Sequence, residues 1–600
     1  MLLSALPPEI IYLIATHLPT ASALAYLSRT CRRLHEVIAS EDWRIFRAFV
    51  NGRLLSINTP PFWKDVAQAL TARSRALDRH AVIGRFIVHP TTAERVGGSP
   101  QATRGDNPTH GYRPVIDSYE IWNGSSWHDR HEVLAWGAGH EVMLQIRQTG
   151  PQRVKKSFIF NDLEHISSHD DIRGLHLLRP EHRSKTSNRE HLILGRMRGE
   201  LIHLSIEPKL RTHEQRQRFQ TFGLGIERTN MSGGSEPILA AHLNGGAISF
   251  YKTTTDEAEV LAFARLQING GGPSRNRTSK FLSPHRFAVA SGRSEDAITI
   301  STISQERLSL ERNISSDFLV SNAINGLAKR ATVTAIEPLN GQTVGDPMGN
   351  VFLAAWGDHA VRLHDIRSHK PYEKVYIDVA DQNPVYCVHP FGHDRFLLGA
   401  GGDAVLKIFD IRMPNKYNYL DARPRTFSRC NGSQSRKKPP KNPPHTNPPS
   451  KDLSIFLSFN APASHIDRPR SRFRHRYRGP IYTMSSPSLL SPTIYTGITG
   501  GVLRLDFAST DDITGPEQSW YRDRLDLELD FLNEGPESNS ILDLSGYERP
   551  DSRDTTTCSK LRTQQPFWAV EPGSIANEQT TGWDRRWKPL DAPGAWRRRD

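Results

Sequence analysis

Over the first fifty residues the apolar positions keep helical spacing, and beyond residue 81 they switch to alternation. Ile10, Ile14 and Leu18 recur at every fourth position, one stripe on a short helix. Pro7 and Pro8 suit its first turn, where a missing N–H would be unpaired anyway, and Glu9 sits near the positive end of the helix dipole. A second stripe, Leu24, Leu27, Cys31, Leu34 and Ile38, advances by steps of three and four. Three short helices cannot bury two stripes among themselves, because so small a unit leaves much apolar surface wet. The pattern therefore predicts a unit that needs a partner. A further helix is predicted over 60–80, PPFWKDVAQALTARSRALDRH, which opens on Pro-Pro and carries Val66, Leu70 and Leu77 at helical spacing.

The alternating part contains two near copies, Gly357 to Arg367 (GDHAVRLHDIR) and Gly402 to Arg412 (GDAVLKIFDIR). Asp358 and Asp403 lie 45 residues apart, as do Asp365 and Asp410. A strand-turn-strand repeat of this length is the mark of propeller blades, with these four aspartates as blade-turn residues. Segments 133–146, 191–206, 238–251, 287–302 and 494–507 share the layout of an apolar strand, a Gly- or Asp-containing turn and a second alternating strand. Seven candidate blades result, a number that closes a ring and removes free sheet edges. The repeats resemble the WD-repeat family, with His364-Asp365 and Phe409-Asp410 where that family ends a strand in Trp-Asp. They depart from it in lacking a Gly-His pair at the proper spacing.

The N-terminal run LPPEIIYLIATHLPTASALAYLSRTCRRLHEVIASEDWRIF, residues 6–46, closely resembles the F-box, which docks substrate receptors onto the Skp-type adaptor of cullin-based ubiquitin ligases. The matches include Leu6, Pro7, Glu9, Ile10, Leu18, Leu24, Leu27, Ser28, Cys31, Arg32 and Trp43. The resemblance implies an adaptor-binding set of Leu6, Pro7, Glu9, Ile10, Ile14, Leu18, Leu24, Leu27, Cys31 and Trp43. In the family such positions divide between internal packing and the adaptor surface, and the sequence does not say which residue does which.

Composition redraws the map further. The 600-residue chain carries a net charge of +13, yet residues 413–480 hold five Lys and ten Arg against three Asp, which is +12. The chain is a near-neutral body with one basic segment, so its overall charge says little about the folded part. That segment also has eleven prolines and reads as a disordered insertion. The expected organisation is a multidomain one: a small all-α F-box over 1–50, a helical linker over 51–80, and an all-β propeller. Blades one to six span 81–412, the basic insertion 413–480 and the last blade 481–535, with a partly packed tail over 536–600 in which Trp568, Trp583, Trp587 and Trp596 suggest contact with the body. Four widely spaced cysteines (Cys31, Cys387, Cys430, Cys558) form no disulfide framework and point to an intracellular, cytoplasmic or nuclear setting. No apolar run approaches the roughly twenty residues of a membrane span.

Catalytic signatures fail on inspection. His131-Glu132 is followed by Ala135 where a zinc-protease helix needs His, and the GAGGDA run at 399–404 leads into a strand pattern, not the helix a dinucleotide requires. With no phosphate-cradling loop, nucleophile turn or ligand cluster in view, neither enzyme activity, metal nor cofactor is expected. Arg468, Arg470, Arg472, Arg474, Arg476 and Arg478 alternate with Ser471, Phe473, His475 and Tyr477. In an extended chain that places guanidinium groups on one face, suited to phosphate backbone or acidic partners. Two functions follow. One is a substrate-recognition subunit of a Skp-cullin-F-box ubiquitin ligase, joined through the adaptor to the cullin and holding an unknown protein substrate; the other is a propeller scaffold binding RNA or a nucleoprotein through the basic insertion.

Overall fold

The computed structural model describes residues 3–87 apart from 19, 56 and 58–61, then 93–412 apart from 99–100, 103–111, 125, 151–152, 168, 181–188, 269–277, 293–295, 305–306, 322–331, 343, 379–380, 382 and 403, and beyond these 452–457, 479–527, 544–548, 561–565 and 583–589. Four helices open the chain: α1 (Pro8–Thr16), α2 (Ala21–Arg29), α3 (Arg32–Asn51) and α4 (Trp63–Asp78). α2 starts at Thr20, whose hydroxyl accepts the Ala23 N–H at 3.1 Å and satisfies one orphan donor of the first turn. Within α3, Trp43 has φ of 58°, a region bulky side chains seldom enter.

The two predicted stripes fare differently. Leu24 and Ile38 are fully buried among Ile45, Phe46, Phe49 and Val50 of α3, Val66, Ala69 and Leu70 of α4, and Leu490, Trp520 and Tyr521 from the far end of the chain. The missing partner of this stripe is thus the chain itself, against the expectation that both stripes lacked one. On α1 the buried residues are Ile11 and Ala15, while Ile10 is 42% exposed and Ile14 half-buried, so the expected Ile10–Ile14–Leu18 stripe is not the packed face.

The remainder is a propeller. Six blades are each built on four antiparallel strands in chain order, beginning with Ile116–Trp122, Ile172–Leu178, Ile226–Met231, Ser279–Ser283, Val333–Pro338 and Val385–Phe391 as innermost strands, and the first two add a parallel fifth strand at the outer edge, Glu94–Gly97 and Glu259–Val260. A further sheet closes the ring: Thr483–Ser485, Thr493–Ile498 and Gly501–Asp506 are completed by Ile83–Phe86 from just after α4. The innermost strands touch in cyclic order, and Thr483–Ser485 returns to Ile116–Trp122. All seven candidate hairpins lie in separate sheets, but the segment 481–535 supplies only three strands of the last one. Its fourth comes from the region assigned to blades one to six.

Two boundaries need correction. Leu453–Leu457, inside the segment expected to be disordered, is the fourth strand of the sixth blade, pairing Ile455 with Leu406. Outside it lie Leu544–Glu548, Leu561–Gln564 and Trp587–Pro589, so part of the tail extends that blade to seven strands. Trp587 is fully buried and its indole N–H donates to the His80 carbonyl at 2.7 Å. Short helices decorate the ring: α5 (Asp317–Ser321), α6 (Thr510–Thr514) and α7 (Gln518–Leu525).

Side chains stitch adjacent blades together around the axis. Asp117 accepts the Leu177 N–H at 2.8 Å, His176 bonds Thr229 at 2.8 Å, Asn230 donates to Ser279 at 2.7 Å, and Lys280 pairs with Glu337 at 2.8 Å. His389 with Ser486 (2.9 Å) and Ser485 with Ser118 (2.8 Å) continue the circuit across the closing sheet. A buried ion network backs this closure: Arg130 holds Glu120 and Glu132, each at 2.6 Å, while Arg147 holds Glu132 and, at 2.9 Å, Asp526 beyond α7. Among the described residues no helix is long and apolar enough to cross a membrane.

Candidate functional site

The helices sit beneath one face of the ring, under the turns that join first to second strands. Leu54 forms a bridge to Gln342, and the Arg73 guanidinium donates to the carbonyls of Leu489 at 2.6 Å and Ser491 at 3.0 Å. Arg73 is 1% exposed, and burial lowers its pKa to about 10 despite Asp394 and Glu120 nearby. Arg75 bonds the Tyr521 hydroxyl at 2.9 Å and pairs with Asp512, and Arg524 meets Asp65 at 2.9 Å, so α4 is held from both sides. Ala21 N–H donates to Thr71 Oγ1 at 3.0 Å and ties α2 to α4.

With the helices fixed in this way, the implied adaptor set separates into two groups. Pro7, Glu9 and Ile10 face solvent; Leu6, Ile14 and Cys31 are half-buried. Leu24 is fully buried, and Leu18, Leu27 and Trp43 pack partly buried against the same core. Trp43 stands edge-on to Phe46 at 5.6 Å, with the Lys64 ammonium over it at 5.2 Å. Leu24 thus belongs to the core of the arm, while Leu18, Leu27 and Trp43 pack against it and keep part of their surface accessible. The structure also exposes Leu3 (40%), Leu13 (57%) and Tyr26 (67%), which the sequence reading passed over. Ile10 and Leu13 lie three residues apart on α1 and share one side of it, and Leu3 lies in the short turn that precedes the helix. The available signal was the all-round apolar run Ile10-Ile11-Tyr12-Leu13-Ile14, in which every side looks like a core side.

On the propeller the blade-turn aspartates make local ion pairs: Asp358 with Arg362, Asp365 with Arg367 at 2.8 Å, and Asp410 with Arg395 at 2.9 Å. Asp403 lies outside the described residues, as do Arg468, Arg470, Arg472, Arg474, Arg476 and Arg478. An axial cavity of about 1890 Å3 runs through the ring, lined by Asp117, His176, Arg228, Lys280, Glu337 and His389 among others. Burial pushes His176 down to about 4 and His389 to about 3, so both imidazoles are neutral at physiological pH. Burial raises the Glu337 carboxyl, opposed by Lys280. Cys387 is the one cysteine on the wall; burial raises its thiol and its Sγ donates to the Ile481 carbonyl, which makes it a poor nucleophile.

The comparisons agree with the geometry at the N-terminus. The family model described as F-box-like matches residues 3–47, which are α1, α2 and most of α3. No curated protein matches the chain. With helices under one face and blades closed around an axis, this chain carries an F-box-like domain at residues 3–47 followed by a β-propeller.

Proposed function

We propose that this chain is the substrate-recognition subunit of a Skp-cullin-F-box ubiquitin ligase. The α1 side of the arm binds the Skp-type adaptor and, through it, the cullin. The propeller binds a target protein. The contribution is proximity, not bond chemistry: holding a target lysine beside an activated thioester raises its effective concentration. The observation that carries this reading is the apolar surface left on the F-box-like helices. Their inner stripe is satisfied by α4 and the ring, yet Ile10 and Leu13 stay 42% and 57% exposed. An apolar side that the described residues do not cover is suited to a separate polypeptide.

The spatial arrangement supports the same reading. The arm lies under the first-to-second strand turns, so the second-to-third strand turns and their end of the channel face away from it. A target on that far face would not compete with the adaptor. Co-purification tests the proposal: the full chain and the Skp-type adaptor are co-expressed, and the complex is sought by size exclusion. A stable complex that is lost on deleting residues 1–50 is expected. A complex that persists without them would refute the adaptor assignment.

A further inference from the structure

On the face turned away from the F-box-like helices, between the second and third blades, one turn departs from what its sequence would choose. Phe222 has φ of 55°, left-handed backbone that a bulky aromatic seldom adopts, and its ring is 68% exposed. The turn does not relax this conformation because it is held on every side. Thr221 Oγ1 donates to the Gly199 carbonyl at 2.6 Å, Leu224 N–H to Thr221 O at 3.2 Å, Ile226 N–H to Met197 O at 3.2 Å, and Asn244 N–H to Gly225 O at 2.8 Å. A strained residue kept in place by its surroundings, with its ring in water, points to a use for the ring.

Its neighbours are of the same character. Leu224 is 36% exposed. Leu261 is 63% exposed, and the parallel pairing of Phe219 with Val260 sets it level with Gln220, two residues from Phe222. The Arg265 guanidinium carbon stands 6.0 Å from the Phe222 ring centroid; its nitrogen Nε donates to Ser249 at 3.3 Å, and it has no carboxylate partner among the described residues. Six positions along the chain from Phe222, Arg228 lines the channel wall beside Glu227, whose carboxylate opposes the effect of burial on the guanidinium. The nearby acidic run Asp256, Glu257 and Glu259 belongs to the outer edge, where Glu259 pairs in register with Arg218. At the rim itself the charge beside the Phe222 ring is the Arg265 guanidinium. An exposed aromatic ring held rigid beside an arginine has the character of a binding hot spot.

We infer that the Phe222–Leu224–Leu261 rim with Arg265 is the anchor site for the target, and that it takes a peptide segment carrying an aliphatic or aromatic side chain next to a carboxylate. This rests on the propeller being the target-binding half of the molecule. The test is a displayed library of random dodecapeptides panned on the immobilised full chain, with counter-selection on Phe222→Gly. Glycine relieves the backbone while deleting the ring, so that variant keeps or raises the melting temperature. Peptides with Asp or Glu adjoining Leu, Ile or Phe are expected to emerge. Their affinity should fall at least tenfold with Phe222→Gly and with Arg265→Glu, and weaken as salt rises. Asn, which tolerates left-handed backbone, gives a second ring deletion, Phe222→Asn, with the same expected loss. Peptides that bind both variants as well as the parent, peptides of basic or wholly polar composition, or no enrichment over Phe222→Gly would each overturn the inference. Adaptor co-purification on the same preparations tests the ligase reading separately, since the rim and the F-box-like helices occupy opposite faces.

Discussion

The arm and the ring dispose of apolar surface in opposite ways. In the ring each blade hands its faces to two neighbours, and residues such as Leu194, Phe287, Leu353 and Leu503 are essentially inaccessible. The arm buries one stripe with equal thoroughness, Leu24 and Ile38 at 0% exposure, and then leaves Leu3, Ile10, Leu13 and Tyr26 in water. The same chain thus satisfies one side of a helical unit and not the other. The difference teaches where the proposed adaptor would sit: on the side of the arm that the described residues leave open.

The largest expected effect breaks the ring side of the comparison. Glu132 is buried between Arg130 and Arg147, which hold its carboxyl down at about 2, and Glu132→Ala strands both cations. Removing one member of such a buried set costs about 3–5 kcal/mol. Chemical denaturation should show that loss, whereas a change within experimental scatter would mean that the network contributes little to closing the ring. Leu24→Ala tests the inner side of the arm. A fully buried leucine in a core shared by α2, α3 and α4 should lose about 2–5 kcal/mol on truncation. Hydrogen exchange over α2–α4 should rise while the blades stay protected. Uniform loosening of the whole molecule would instead mean that arm and ring unfold as one unit.

The smallest expected effect concerns acid. His176 and His389 are held neutral, at about 4 and about 3 against an ordinary value near 6.5. With folded values depressed, the unfolded chain takes up protons first. Stability from these residues is therefore fully present above about pH 6.5 and declines as pH falls toward 4. The melting temperature should drop between pH 7 and 5, and His176→Gln should flatten part of that slope. An unchanged slope would show that the channel histidines do not couple to folding.

Much of the fold was legible because its signals are local. Each central hairpin, such as 351–365 or 395–410, alternates over a short turn, and F-box-like spacing in 6–46 is written within one segment. What stayed hidden depends on distant pairing. Ile83–Phe86 is a four-residue strand whose ladder partner lies at 503–506, and nothing in IGRF announces it. Leu453–Leu457 was masked by the prolines and charges around it. Within the candidate site, helical spacing identified α1 but not its rotation, since an apolar run on every side leaves the packed face to tertiary contacts. Phe222 carries no sequence mark, because a positive φ at a non-glycine residue is imposed by the surrounding turns.

The outward side of the arm carries the central claim, and its direct measurement is calorimetric titration of purified Skp-type adaptor onto the full chain and onto a variant carrying Ile10→Asp and Leu13→Asp. Both residues are exposed, so the melting temperature should stay within a degree or so of the parent's; burying two unpaired carboxylates at the interface should cost about 3 kcal/mol or more, on the order of a hundredfold in affinity. Tight binding by the parent and binding weakened on the order of a hundredfold by the variant is the predicted result. Equal binding by both, or no binding by a folded parent, would contradict the account.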